Sequence, residues 1–260
     1  MPNPKKKKPV EVSCVDCKAW ACFPDVSAVK TGRREPPPYC PANAQKDVGE
    51  RALAKSAGKT LEFARNVALI ENSCYAIRPD TGAAVLPMIT LHPRAEEIIM
   101  LAKISDYKRL GIAFCIEMQK EAETYTNILE NNGFDVVSVS CKAGGIPKEE
   151  IGVTDEEKLY GPGSEETMCS GVIMAELLNS EKTDMNILMG LCVGQDTLFY
   201  KYAEAFSIPL VIMDRVYGGA TMEGVYQCFN SWGFRNYSDE IGAGLELRRS
   251  AWPKWKGADK

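Results

Sequence analysis

The stretch Leu110–Cys115, LGIAFC, runs straight into Ile116 to about Asn131 and then, past Gly133, into Val136–Cys141, VVSVSC. Its reading decides the fold. LGIAFC is too short for a buried helix and fits a fully buried strand. The segment after it has the length and spacing of a helix, and Gly133 stands where a helix commonly ends. VVSVSC is β-branched and reads as a second strand. A strand, a helix and a strand in succession imply a crossover connection and parallel pairing. The pattern resumes downstream. Gly144, Gly145 and Pro147 open a long polar connection ending near Gly163, and Ser170–Asn179 reads as a helix. Asn186–Cys192 (NILMGLC) is a third strand, Thr197–Phe206 a helix, Leu210–Asp214 (LVIMD) a fourth strand, and Thr221–Phe229 a last helix. The expected fold is α/β, a doubly wound, mostly parallel sheet of about four core strands within residues 107–230.

Outward from this core the chain divides into three further parts. Residues 1–45 form an arm with four cysteines, little apolar periodicity and the run Pro36–Pro38, which no helix interior accepts. Residues 46–106 read as helix over Val48–Tyr75, with Leu53, Leu61, Phe63, Ala64, Val67, Ala68 and Ile70 as the inner face. A proline-punctuated connector, Pro79–Pro93, and a short helix, Arg94–Lys103, follow. Residues 231–260 hold Trp232, Trp252 and Trp255 with late basic residues but no clear period. This tail is expected to be a packing or homo-oligomer arm.

The 260 residues are 45% hydrophobic and 25% charged, with a formal net charge of −4. That is the mixture of an ordinary globular chain, and the net charge offers no match to a nucleic-acid backbone. No apolar run approaches the roughly 20 residues of a spanning helix, and the basic start Met1–Val10 leads into no apolar segment. A cytoplasmic protein that engages neither membrane nor nucleic acid is expected. Ten cysteines stand against a single histidine, His92. In a reducing compartment so many thiols point to metal ligation or redox chemistry rather than disulfides. The lack of histidine excludes a three-histidine zinc site.

Two cysteine sets carry this chemistry. In the arm the spacing is Cys14-x2-Cys17-x4-Cys22-x17-Cys40, with Pro41 next. A two-residue gap lets two thiolates reach one metal from a tight turn, and four complete a tetrahedral shell. Zinc and a [4Fe–4S] cluster both fit, and the Cys-Pro ending leans towards iron. In the core, Cys115, Cys141 and Cys192 each fall at the last position of an expected strand, and Cys169 just before an expected helix. Parallel strands put all their carboxyl ends on one edge, where open α/β sheets bind ligands. A second [4Fe–4S] site with ligands Cys115, Cys141, Cys169 and Cys192 is therefore expected. A three-thiolate variant would leave one iron open to substrate and Cys169 free as a nucleophile. The function expected is electron transfer, with a redox partner, or cluster-based chemistry on a small substrate. The alternative is a non-catalytic zinc-knuckle adaptor or subunit of a larger assembly.

These motifs, with LGIAFC at 110–115, SVSCKAGGIPKEEIG at 138–152, Met168–Cys169 and GLCVGQDTLFYKY at 190–202, resemble the prokaryotic metal-binding family catalogued as domain of unknown function 1847. The resemblance covers about residues 14–217 and implies metal binding through the N-terminal cysteines, usually taken as zinc; it implies no reaction. Where that family is expected to read GHDSLF, this chain has GQDTLF, so Gln195 replaces a histidine with an amide hydrogen-bonding group. The sheet-edge layout is similar to that of 2-hydroxyacyl-CoA dehydratases, which hold clusters in α/β domains, without implying their activity.

Other features carry less. Ala57-Gly58-Lys59-Thr60 mimics the end of a phosphate-binding loop but lies in a helical pattern, not after a strand. Lys5–Lys8 reads as a solvated terminus, His92 as structural, and Cys74 and Cys228 as packing residues. Asp196 and Asp214 belong to the same sheet edge as the core cysteines and could orient or protonate a substrate, or, for Asp196, cap a helix.

Overall fold

A computed structural model of the chain describes residues 14–17, 22, 36–37, 40–41, 46–77, 88–216 and 219. The chain divides into two units, Met1–Ser105 and Asp106–Lys260.

In the first unit, helices α1 (Lys46–Lys55) and α2 (Lys59–Ser73) replace the single helix expected from Val48 to Tyr75. The break falls at Gly58, whose φ of +59° suits a residue without a Cβ. The expected inner face is not buried: Leu53 is 77% exposed and Leu61 59%, and Val67 also faces outward. The buried residue of α2 is instead Asn66, whose side-chain amide donates to Ser105 Oγ at 3.2 Å. Periodicity identifies an apolar stripe but not whether anything covers it. The connector expected at 79–93 contains strand β2 (Met88–Thr90), which pairs antiparallel with β1 (Tyr75–Ile77). Three-residue strands are too short to leave a period-2 signature. Helix α3 (Arg94–Ile104) follows and buries Ile98, Leu101 and Ala102. His92, just before it, bonds Glu96 at 2.9 Å, a local structural contact.

The second unit is the α/β core. Strands β3 (Arg109–Phe114), β4 (Asp135–Ser140), β5 (Met185–Leu191) and β6 (Phe206–Ile212) form one sheet in the order β4-β3-β5-β6, and every pair is parallel. Helix α4 (Gln119–Asn131) links β3 to β4, α5 (Gly171–Ser180) precedes β5, and α6 (Val193–Tyr202) links β5 to β6. From β3 the order first runs one way to β4, then reverses across β3 to β5 and β6. Right-handed crossovers therefore set α4 on one face and α5 and α6 on the other, which is the doubly wound arrangement. All seven residues of β5 are buried, as a central parallel strand requires. Leu188, Leu191, Met174, Leu178 and Phe199 pack with Ala113 between the sheet and helices α5 and α6. Each large apolar side chain so buried contributes roughly 1.5–3 kcal/mol.

Several boundaries differ from expectation, each for a physical reason. Each of β3, β4 and β5 ends one residue before its cysteine. The amides of Cys115 and Cys141 still donate to the neighbouring strands, to Met189 O at 3.0 Å and Phe114 O at 2.8 Å. The carbonyls of Cys115 and Cys192 already belong to the turns that follow, accepting from Met118 and from Gln195 and Asp196. The helix expected from Ile116 begins as a 3-10 turn over Ile116–Met118. Helix α6 starts at Val193 rather than Thr197 and ends at Tyr202, because 203–206 leads into β6. Strand β6 starts at Phe206, before Leu210; among the described residues it is an edge strand, where Pro209 can sit without a ladder donor, and the register with β5 shifts beside it. The long polar connection runs on to Ser170. Thr221–Phe229 and residues 231–260 lie outside the described residues. Among the described residues no helix is long and apolar enough to cross a membrane.

Candidate functional site

The reversal of strand order leaves a crevice beyond the carboxyl ends of β3 and β5, where such folds place ligands. Cys115 leaves β3 and Cys192 leaves β5, one on each side of that crevice. Cys141 leaves β4, the next strand along. Cys169 precedes α5, whose first turn is capped by Ser170: its Oγ accepts from Ile173 N–H at 3.2 Å. All four cysteines line a single cavity of about 740 Å³. Cys115 and Cys141 are buried; Cys169 and Cys192 are half-buried.

Backbone details set these sulfurs. Gly190, with φ +66°, lies in β5 at a register shift and re-aims the chain just before Cys192. A Cβ there would come 2.1 Å from Met118 Sδ. Gly171 brings α5 against α6 so closely that a Cβ would lie 2.4 Å from the Gln195 carbonyl oxygen. The Gln195 side-chain oxygen accepts the Gly171 N–H, so this amide ties the helix after Cys169 to the helix after Cys192.

The far wall is the connection 142–170. Its ends are drawn together by antiparallel bonds: Ser170 N–H to Cys141 O at 2.9 Å, Met168 N–H to Ile146 O at 2.8 Å and Lys148 N–H to Glu166 O at 2.9 Å. Inside, Lys158 is 5% exposed and pairs with Asp155 at 2.9 Å and with Glu149, while donating to Ser164 O at 2.7 Å. Glu166, also buried, pairs with Lys148 and accepts the Tyr160 N–H. Burial alone would raise the Glu166 carboxyl, but the Lys148 ammonium and the Tyr160 and Leu159 amides outweigh it and hold it at about 2. A connection with few buried apolar side chains is thus ordered by ion pairs around two buried charges, Lys158 and Glu166, and leaving a buried charge without its partner is costly.

The sulfurs have distinct surroundings. The Ile116 N–H donates to Cys141 Sγ at 3.5 Å and Arg215 donates to Cys192 Sγ at 3.0 Å. Burial pushes the Cys141 thiol up to about 12; the Ile116 amide opposes this, while a hydrogen bond with Cys169 and the nearby sulfur of Cys115 add to it. Cys192 is raised by burial too, against the pull of Arg215 and with further push from Cys115, Cys169 and Asp196. Two thiols held protonated by desolvation and by neighbouring sulfurs, Cys141 and Cys192, would favour a cation once their protons leave. Among the described residues no three His, Cys, Asp or Glu side chains converge closely enough to hold one metal ion. The four thiols share the lining of this cavity without converging on one point.

The remaining candidates are placed as follows. Cys14 and Cys17 sit on one tight turn, Cys17 N–H donating to Cys14 O at 3.1 Å, and Cys40 closes another, donating to Pro37 O at 2.9 Å. Cys22 is exposed. Cys74 is buried at the end of α2; Cys228 lies outside the described residues. Asp214 lines the cavity and accepts the Val216 N–H at 2.9 Å. Asp196 is raised by burial; Cys192, not Asp196, stands at the N-cap of α6. Sequence reasoning missed Lys142, Lys148, Tyr160, Glu166 and Arg215 as cavity residues. The basic and acidic pairing within 148–166 is visible in the sequence, but its closure against the sheet edge is not.

No solved structure matches the chain. An uncharacterised protein of Methanocaldococcus jannaschii is 41% identical over 133 residues, 51% of this chain and 66% of that protein. A family profile described as "Protein of unknown function (DUF1847)" matches residues 40–210, a segment that contains Cys115, Cys141, Cys169 and Cys192 but, of the arm cysteines, only Cys40. The chain therefore belongs to the family known as domain of unknown function 1847.

Proposed function

We propose that this chain is an iron–sulfur protein whose core centre is held by Cys115, Cys141, Cys169 and Cys192. Its role in this reading is electron transfer, or chemistry on a small substrate admitted to the same cavity. One observation carries the proposal: four thiols from four separate segments line one cavity at the strand-order reversal. Support also comes from the purely sulfur donor set, which selects soft centres. The Ile116 amide and the Arg215 guanidinium would offset negative charge on ligating sulfurs, a lever that tunes such centres. A bound [4Fe–4S] cluster would supply one-electron exchange, and with three thiolate ligands an open iron. The protein's own residues then divide the work. Burial favours the protonated form of Cys141 and Cys192, so loading a cation there would release protons. Arg215 stands beside Cys192 at the mouth, and the Lys148–Glu166 pair holds the wall that limits solvent.

A zinc site formed by Cys14, Cys17, Cys22 and Cys40, serving an adaptor without catalysis, is the second reading; the Cys14–Cys17 turn favours it. Anaerobic purification separates the two. Iron and sulfide matching one or two cubanes, with a brown visible spectrum, is the result expected. A colourless protein with one zinc points to the adaptor. Cys115→Ser combined with Cys141→Ser should remove the core iron; full iron content in that variant would refute the core site.

A further inference from the structure

We infer that Cys141 and Cys169 form a reversible disulfide latch across the neck of the 142–170 connection, closed in the metal-free protein by exchange with a small-molecule disulfide. The latch deepens the sheet-edge reading above, and rests on it only for its consequence, the withdrawal of two of four ligands. Its geometric basis is independent of any metal. The connection leaves the sheet at Cys141 and returns at Cys169, and the two ends are held by a backbone bond from Ser170 N–H to Cys141 O of 2.9 Å. That bond joins the peptide groups next to the two Cα atoms, so their separation falls in the range of roughly 4.4–6.8 Å that a disulfide spans. Further pairing between Pro147 and Thr167 and from Met168 N–H to Ile146 O keeps the neck closed. Both side chains line the same cavity. Cys115, which follows β3 beside Cys141 at the end of β4, is the competing partner, but neither it nor Cys192 has a backbone bond to the Cys169 segment among those that close the neck.

The exposures set the order of events. Cys169 is half-buried and reachable from the cavity, whereas Cys141 is 4% exposed. The Cys169 thiolate attacks one sulfur of oxidised glutathione, forming a mixed disulfide and releasing one glutathione. The Cys141 sulfur then attacks Cys169 Sγ, expelling the second glutathione. Two protein thiols lose two electrons and two protons; one small disulfide becomes two thiols. A dithiol reductant reverses both steps. Closed, the latch removes Cys141 and Cys169 as ligands and staples the wall of the cavity, so oxidation and metal loading exclude each other.

The test uses full-length protein stripped of metal by chelator under reductant, desalted, and incubated with oxidised glutathione. Free thiols are then alkylated and the peptides mapped by mass spectrometry. The Cys141–Cys169 linked peptide should exceed any other cysteine pair by about tenfold. Native trypsin cleavage at Lys142 or Lys148 should leave the two halves joined on a non-reducing gel and separated on a reducing one. Cys169→Ser should abolish the link, and Cys115→Ser should keep it. Cys169 is the working substitution because it is the less buried of the pair. Predominant linkage of Cys141 to Cys115 or Cys192, or no linkage in metal-free protein, would overturn the latch. The two readings fail separately. Protein that never takes up iron yet forms the link removes the cluster and keeps the latch; protein that holds the cluster yet forms no link when stripped does the reverse.

Discussion

Gly171→Ala tests whether close contact of α5 with α6 sets the cysteine cavity. A Cβ at residue 171 would lie 2.4 Å from Gln195 O, 2.9 Å from Phe199 N and 3.0 Å from Leu198 Cβ, against an ordinary contact of 3.4 Å or more. The nearest two are backbone atoms of α6, so no side-chain rotation relieves them. The helices must part by about 1 Å, forfeiting packing on Leu178, Met174 and Phe199. Overpacking of this kind costs roughly 1–3 kcal/mol. Loss of the Gly171 N–H to Gln195 bond adds about 0.5–1.5 kcal/mol. The better helix propensity of alanine returns up to about 1 kcal/mol. A net loss of about 2 kcal/mol lowers the urea midpoint by about 1 M for a typical slope. Cys169 and Cys192 precede the two displaced helix starts, so in the iron–sulfur reading proposed above iron content should fall as well. Urea unfolding followed by far-ultraviolet circular dichroism reads the first effect, and metal analysis the second. Gly194→Ala is the control, since a Cβ there meets nothing within 4 Å and the helix gains propensity. A Gly171→Ala midpoint within about 0.2 M of the parent, or a matching loss in Gly194→Ala, would refute the reasoning.

The other expectations are more local. Gly190→Ala forces a left-handed φ of +66° on a residue with a Cβ and presses on Met118, so a loss of about 1–2 kcal/mol is expected in thermal unfolding. Thr183→Val leaves Asn186 Oδ1, fully buried in β5, without its 2.7 Å donor, at a cost of about 1–3 kcal/mol by denaturant titration; Thr183→Ser should restore most of it. Glu166 has a folded value of about 2 against 4.5 for the free side chain, so its stabilisation is complete above that value and fades as pH falls from about 4.5 towards 2. The protection of amides in 142–170, measured as exchange relative to the intrinsic rate at each pH, should therefore fall on acidification through that window. In Glu166→Gln the same amides should be less protected at neutral pH, and their protection should lose most of its dependence on pH between about 4.5 and 2.

The chain's local patterns were sufficient for the parallel sheet and for the edge on which the core cysteines sit. LGIAFC, VVSVSC and NILMGLC carry their strand character within six or seven residues, and the helices between them dictate parallel crossovers. A thiol closing each run must then emerge on one side of the sheet. The two shortest strands, the reach of β6 past Pro209 and the exposure of Leu53 and Leu61 were not legible, because each depends on a neighbour that local spacing does not name. Strand order was equally hidden, and it is the order β4-β3-β5-β6 that puts Cys115 and Cys192 on either side of one crevice. Only tertiary pairing closes the neck between Cys141 and Ser170 and brings Lys142, Glu166 and Arg215 around the sulfurs. Periodicity records which face a residue turns to its own element, whereas a cavity is built from contacts between segments tens of residues apart.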